Sequence, residues 1–348
     1  MATLKELAEY TGFSAATISR ILNNDPTMAA SEETRKKILE AADTLNYAAT
    51  KSRKGRAPKT NLRIALAEML TPAEQLADPY YLYLRRYVER ECTAQRIELF
   101  PLTQLEDRFT PPASGAFDGL IAIGIFTPVQ VDSLLALHAN VVFLDSSPDE
   151  TRADSVVINY RLGVEQALAH LVDRGHTKIG FIGPKTKLDD HKQPAPEVRR
   201  RIYVEWMLAH GLYDPSLLID VPMSAQQTGQ ALHDRILAGE AMPTALLTAN
   251  EESALGAIHA LQQADLRVPD DVSVISFNNT PLSELTEPPL TSVTTHMREM
   301  SQAAVRLACE RVGGRRKPPI RALPVKLIVP PSLVLRGSVA PPRATART

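Results

Sequence analysis

Thr3-Leu4-Lys5-Glu6-Leu7-Ala8-Glu9-Tyr10-Thr11-Gly12-Phe13-Ser14-Ala15-Ala16-Thr17-Ile18-Ser19-Arg20-Ile21-Leu22-Asn23 is the stretch on which the fold of this chain turns. Thr3 and Glu6 have the spacing of a capping box, so a helix is expected from Leu4 with Leu7 and Ala8 on its apolar face. Gly12 breaks it with a tight turn, and Ser14 caps a second helix with Ile18, Ile21 and Leu22 facing inward. Two short helices joined by a glycine turn make a helix-turn-helix. Its second helix offers Ala15, Ala16, Thr17, Ser19, Arg20 and Asn23 outward, small or hydrogen-bonding groups with one guanidinium, which suits a major groove. A purely structural helical hairpin is the competing reading. The position ahead of a basic segment favours a DNA-reading head.

A third helix is expected after Ser31, with Glu32 and Glu33 at its positive end and Ile38, Leu39, Ala42 and Leu45 inward; Tyr47 closes a head of residues 1–47. Residues 1–60 hold ten Lys/Arg against seven Asp/Glu, and the remainder holds twenty-nine against thirty-three, so a whole-chain charge of -1 conceals a basic front. Residues 48–61 form the expected linker, and Lys51, Arg53, Lys54 and Arg56 within it are placed to meet phosphates. With 348 residues, 44% of them hydrophobic and 23% charged, the chain can bury the core of a second, larger module. No apolar leader or membrane-length segment is evident, and Cys92 and Cys309 lack metal or redox spacing. The expected location is the cytoplasm, in association with the nucleoid. The Pro/Arg/Thr/Ala-rich residues 337–348 are expected to be disordered.

From residue 62 apolar strands alternate with helical periodicity. Strands are expected at 62–67, 97–100, 119–124 and 141–145, with helices over 80–92 and 131–138. A second cycle starts near Asn159, with strands at 178–183, 245–249 and 272–277 and helices at 161–174, 199–210, 228–238 and 252–263. Continuous apolar strands fit parallel sheets covered on both faces. The expected fold is an all-α helix-turn-helix head followed by an α/β core of two doubly wound parallel-sheet lobes, with a ligand cleft between them.

The chain resembles the lactose/galactose repressor (LacI/GalR) family over residues 2–338. The similarity is carried by the head, by Thr34-Arg35 through Leu45-Asn46-Tyr47, and by Phe117-Asp118-Gly119-Leu120-Ile121. It continues in Gly175-His176, Ile179-Gly180-Phe181-Ile182-Gly183, Pro269-Asp270-Asp271-Val272, Pro289-Leu290-Thr291-Ser292-Val293 and Pro331-Ser332-Leu333-Val334-Leu335-Arg336-Gly337-Ser338. Asp78-Pro79-Tyr80-Tyr81-Leu82 and Ile275-Ser276-Phe277-Asn278-Asn279 look closest to the branch that controls an evolved β-galactosidase operon.

The resemblance implies a transcriptional repressor that binds near-palindromic operator DNA as a homodimer and responds to a small sugar, without enzymatic activity, cofactor or metal. It implies a periplasmic-binding-protein-like core, with a near lobe of residues 62–158 and 289–322 and a far lobe of 159–288 and 323–336. Operator discrimination falls on Ala15, Ala16 and Arg20. Ser14, Thr17, Ser19 and Asn23 then hold phosphates, and Thr3 joins the DNA-binding set. The effector set is Tyr80, Tyr81, Asp145, Arg199, Tyr203, Asn250, Asn278 and Thr295, with Arg200 the alternative to Arg199. A guanidinium at Arg199 suits vicinal hydroxyls.

Several positions depart from the family pattern. Glu251 stands where aspartate is usual, Asn278 lacks a carboxylate, and the hinge has Ala49, Arg53-Lys54 and Arg56 in place of a proline, an Ala-Arg pair and a wedging leucine. An arginine there enters a narrow minor groove by charge, where a leucine pries base pairs apart. Among alternatives, an enzyme is disfavoured by eight scattered histidines and no nucleophile elbow or phosphate loop. A periplasmic sugar carrier is disfavoured by the head, and an activator remains open. Residues 338–348 contain no leucine, so the leucine heptad of tetrameric relatives is missing and a dimer is expected.

Overall fold

Ser14 and Ser31 start helices where their positions require. The computed structural model describes residues 4–22, 30–44, 62–71, 74–75, 79–112, 116–312 and 319–343, divided between a unit of residues 1–60 and one of 61–348. In the first, α1 (Leu4–Thr11), α2 (Ala15–Leu22) and α3 (Glu32–Thr44) pack around Leu7, Ile18, Ile21, Ile38 and Ala42. Ser14 Oγ accepts the Thr17 N–H at 3.1 Å, and Ser31 Oγ accepts that of Thr34 at 3.2 Å. Gly12 makes the turn at φ +74, its N–H returning to the Ala8 carbonyl at 2.9 Å. Thr3, Asn23, Leu45, Tyr47 and the basic linker lie outside the described residues.

The larger unit contains two six-stranded sheets. The first runs β2 (Glu98–Pro101), β1 (Arg63–Glu68), β5 (Gly119–Ile123), β6 (Val141–Leu144), β7 (Asp154–Ile158) and β15 (Lys326–Val329), all parallel. One face is covered by α4 (Pro79–Gln95) and α11 (Met297–Glu310), the other by α5 (Pro128–Leu137). A small hairpin, β3 (Thr103–Leu105) with β4 (Arg108–Thr110), packs beside α5.

The second sheet runs β11 (Leu218–Ile219), β8 (Ile179–Ile182), β12 (Ala245–Thr248), β13 (Ser273–Asn278), β14 (Thr291–Thr294) and β16 (Ser332–Val334), with β16 antiparallel. Helices α6 (Tyr160–Asp173) and α7 (Val198–Ala209) cover one face, α8 (Ala225–Leu237) and α9 (Glu251–Gln263) the other. Gly256 lets α8 and α9 touch at the backbone, since a Cβ there would collide with the Ala225 carbonyl oxygen. A second hairpin, β9 (Thr186–Leu188) with β10 (Pro194–Pro196), leaves the end of β8, and α10 (Leu282–Leu285) links β13 to β14.

Three expectations are corrected. Residues 291–294 belong to the far sheet, in register Ile275↔Thr291, and 326–329 to the near sheet, in register Lys326↔Ser155. The chain therefore crosses back after Thr294 and out again after Val329, beyond the expected boundaries at 289 and 322. An apolar strand fits either parallel sheet, and only pairing decides which. Residues 337–343 are ordered: Ser338 Oγ accepts the Thr291 N–H at 2.8 Å and donates to Val274 O at 2.6 Å, while Ala340 N–H meets Ser273 Oγ at 3.1 Å. The Ser338 and Ser273 hydroxyls, with the Val274 N–H donating to Ser338 O at 2.8 Å, fix this segment despite its composition. Cys92 and Cys309, far apart in sequence, are neighbours across α4 and α11; burial and the proximity of Cys309 push the Cys92 thiol up to about 12.

Candidate functional site

Ligands of doubly wound sheets settle beyond the carboxyl ends of the strands. On the near lobe, Asp145 follows β6 at φ +79, and the Tyr80 and Tyr81 hydroxyls on the first turn of α4 donate to its Oδ1 and Oδ2, each at 3.1 Å. The two rings meet edge to face at 5.2 Å. Burial and the neighbouring Asp145 charge push the Tyr80 phenol well above its ordinary range, so it remains a donor.

On the far lobe, Arg199 occupies the first turn of α7 and is buried. Its Nε donates to Glu197 Oε1 at 2.7 Å, one Nη donates to the Ala249 carbonyl, and the other lies 3.5 Å from Met223 Sδ. The guanidinium carbon sits 5.4 Å from the Tyr160 ring centroid and 5.6 Å from that of Phe277. Burial opposes its charge, but the Glu197 carboxylate, Tyr160 and Asp145 together hold its pKa above the ordinary value. Asp145 and Arg199, from different lobes, thus lie within each other's field.

The structure brings together Tyr80, Tyr81, Asp145 and Arg199, four members of the expected set. It assigns others to different work. Tyr203 is a correction: it is fully buried, its hydroxyl donates to Ile179 O at 2.6 Å and its ring packs on Phe181 at 5.4 Å, because its turn of α7 faces the sheet. Asn250 caps α9, Oδ1 accepting the Ser253 N–H at 3.1 Å and Nδ2 donating to Glu252 at 2.6 Å. Asn278 ends β13 at φ +93, half-buried. Thr295 is fully buried at the second crossover, and its hydroxyl has no partner among the described residues. Arg200 turns to Gly183 O and Asp220.

Tyr160, Glu197, Met223 and Phe277 were not singled out from sequence. Tyr160 had one legible signal, its place immediately after the lobe-crossing strand. Glu251 points inward, accepting from Thr280 N–H and Ser283 Oγ, and burial raises its pKa. Its difference from the family's aspartate therefore serves the β13–α10 turn.

In the head, Ala15, Ala16 and Arg20 are exposed on α2 opposite Ile18 and Ile21, while Thr17 and Ser19 are half-buried. Ser14 Oγ is engaged by the Thr17 N–H and by Thr17 Oγ1 at 2.9 Å, so capping is its structural work. Lys51, Arg53, Lys54 and Arg56 lie outside the described residues. Among the described residues no helix is long and apolar enough to cross a membrane.

Residues 3–49 match the family model of bacterial regulatory proteins of the lacI family, and residues 168–339 match a periplasmic binding protein-like domain. The HTH-type transcriptional regulator GalR of Streptococcus thermophilus is 31% identical over 320 residues, covering 92% of this chain and 95% of the relative. Among solved structures, a complex of the transcriptional regulator CelR with cellobiose aligns at a TM-score of 0.62 and 22% identity, over 97% of this chain and 100% of that one. The lac repressor dimer bound to operator and the anti-inducer ONPF aligns at 0.62 and 24% identity, over 97% and 99%.

Proposed function

Because this chain belongs to the lacI family of bacterial regulatory proteins, we propose that it is an operator-binding repressor whose DNA affinity is set by a small neutral saccharide held between its lobes. The observation that carries the ligand class is the balance of charges: Arg199 is paired with Glu197, and Asp145 is a second carboxylate whose two oxygens accept tyrosine hydroxyls. Neutral phenols do not cancel the Asp145 charge, so the site disfavours a phosphate or carboxylate and suits sugar hydroxyls, which can donate to a carboxylate. Three of the five Arg199 N–H donors have described partners, leaving two for vicinal hydroxyls. Tyr160 and Phe277 add aromatic surface for a pyranose face. The cellobiose bound to CelR is a ligand of this chemical kind.

A ligand touching Asp145 and Arg199 bridges the lobes and favours one arrangement over another. A coupling of about 1–3 kcal/mol is enough to release DNA about 5–150-fold, and operator must weaken the ligand by the same factor. The chain acts as a homodimer on a near-palindrome, at the nucleoid, its two heads spaced by about one helical turn of ~34 Å.

Arg199→Ala tests this reading. Operator affinity is measured by fluorescence anisotropy with and without lactose, galactose and cellobiose. The expected variant binds operator like wild type and ignores the sugar that shifts wild type. A variant that responds normally would remove Arg199 from the site, and a wild type indifferent to all three would reject these ligands.

A further inference from the structure

We propose that Tyr160 is the positioning residue through which a ligand held by Arg199 shifts the arrangement of the two lobes. The inference rests on the cleft being the effector site. Tyr160 opens α6, following Asn159 after the end of β7, so it stands where the chain first crosses from the near lobe to the far. Half-buried there, it packs against two apolar cores at once: the near-lobe cluster that holds Ile158, Met297 and Val329, and the far-lobe cluster that holds Phe277 and Val293. Among the described residues no other partly buried apolar side chain is shared by these two cores. The same ring lies 5.4 Å from the Arg199 guanidinium carbon and 6.4 Å from the Phe277 ring.

The backbone beneath the ring is held on both sides. The Asn159 N–H donates to Val329 O at 3.0 Å, which joins the first crossover to the third, and Asn159 Oδ1 accepts the Leu162 N–H at 3.1 Å. His296 Nε2 lies 2.9 Å from Ser332 Oγ, which joins the second crossover to the third. Further along the same turn of α6, a Cβ on Gly163 would come within 2.9 Å of Val293, 3.2 Å of Pro331 and 3.3 Å of Phe277. This end of α6 therefore has no slack against the far sheet, and Tyr160 is a far-lobe side chain wedged into the near lobe. Packed cores have discrete arrangements and do not deform continuously, so a rotation of the lobes must change how they share this ring. The guanidinium is attracted to the aromatic face. A saccharide that takes the remaining Arg199 N–H donors fixes the guanidinium, and so favours the lobe arrangement that keeps the ring beside it. The ligand thereby gains the differential interaction that any shift of the equilibrium requires.

The test separates coupling from binding and uses the full-length protein. Operator affinity is followed by fluorescence anisotropy while lactose, galactose or cellobiose is titrated to saturation. A residue that only touches ligand shifts the midpoint and leaves release complete at saturation; a coupling residue changes the saturated release itself. Tyr160→Leu keeps apolar bulk without an aromatic face, and is expected to cut the saturated release from about 5–150-fold to about twofold or less. Tyr160→Phe is expected to retain it. Amide hydrogen exchange without ligand is the second readout: Tyr160→Leu is expected to speed exchange of the Asn159 amide about tenfold, and Tyr160→Phe to leave it as in wild type. Full release by Tyr160→Leu at saturation, or unchanged Asn159 exchange, would overturn the proposal. A wild type that answers none of the three sugars, while Tyr160→Leu still exposes the Asn159 amide, would reject these ligands and retain Tyr160 as the wedge between the lobes.

Discussion

The Arg199 guanidinium and the Glu197 carboxylate form a pair at 2.7 Å although only one residue separates them and both side chains are at most 4% exposed. Residues two apart within a helix do not face each other. This pair forms because Glu197 stands outside the helix as its N-cap, at φ -59 and ψ 125, with its other oxygen on the Arg200 N–H at 2.8 Å. One carboxylate thus starts α7 and neutralises the cation that faces the cleft.

Glu197→Ala removes the cap and strands a buried guanidinium. The expected loss is about 3–5 kcal/mol in urea unfolding, the range for breaking a buried ion pair. Glu197→Gln retains the capping oxygen and is expected to lose less. A Glu197→Ala protein within about 0.5 kcal/mol of wild type would show that the pair is solvated.

Asp145 sits in left-handed backbone space, which asparagine tolerates. Asp145→Asn is therefore expected to change the unfolding midpoint little while weakening saccharide binding about tenfold, the cost of about one charge-assisted hydrogen bond. Calorimetric titration with the sugar that releases wild type from operator provides the check. Equal affinity would place the carboxylate in support of Tyr80 and Tyr81 alone.

Arg20 is the long hydrogen-bonding side chain on the exposed face of α2, beside Ala15 and Ala16. Arg20→Ala is expected to cost about 1–3 kcal/mol of discrimination per half-site while salt-sensitive binding to unrelated DNA persists. Titrating operator and scrambled duplexes side by side reads this directly. An unchanged ratio would move base reading elsewhere.

His176 ties the final segment to the far lobe, its Nε2 lying 2.9 Å from Ala340 O and its Nδ1 3.0 Å from Thr244 Oγ1. Burial lowers its pKa from 6.5, against the Ala340 carbonyl and with help from His170. A group depressed by folding contributes stability that is complete above its unfolded pKa and is lost as the pH falls below it toward the folded value. The thermal midpoint should fall between about pH 7 and pH 5, and His176→Gln should flatten that slope. Identical slopes would mean that other groups carry the acid sensitivity.

The sequence by itself determined what rests on neighbours a few residues away. Serine caps at Ser14 and Ser31, the Gly12 turn, the apolar strands and the helix over 199–210 were all readable, because a helix or strand announces itself through local hydrogen bonds and side-chain period. Tertiary structure decided what depends on partners far along the chain. Residues 291–294 and 326–329 took their lobes from the strands beside them. Tyr203 turned into the core and Asn250 into a cap, while Tyr160 and Phe277 closed around Arg199. Residues 337–343 were held by the Ser338 and Ser273 hydroxyls, which bond the backbone between this segment and distant strands. Periodicity records which side of an element is apolar; which surface covers that side is a long-range choice, made only when the whole chain has packed.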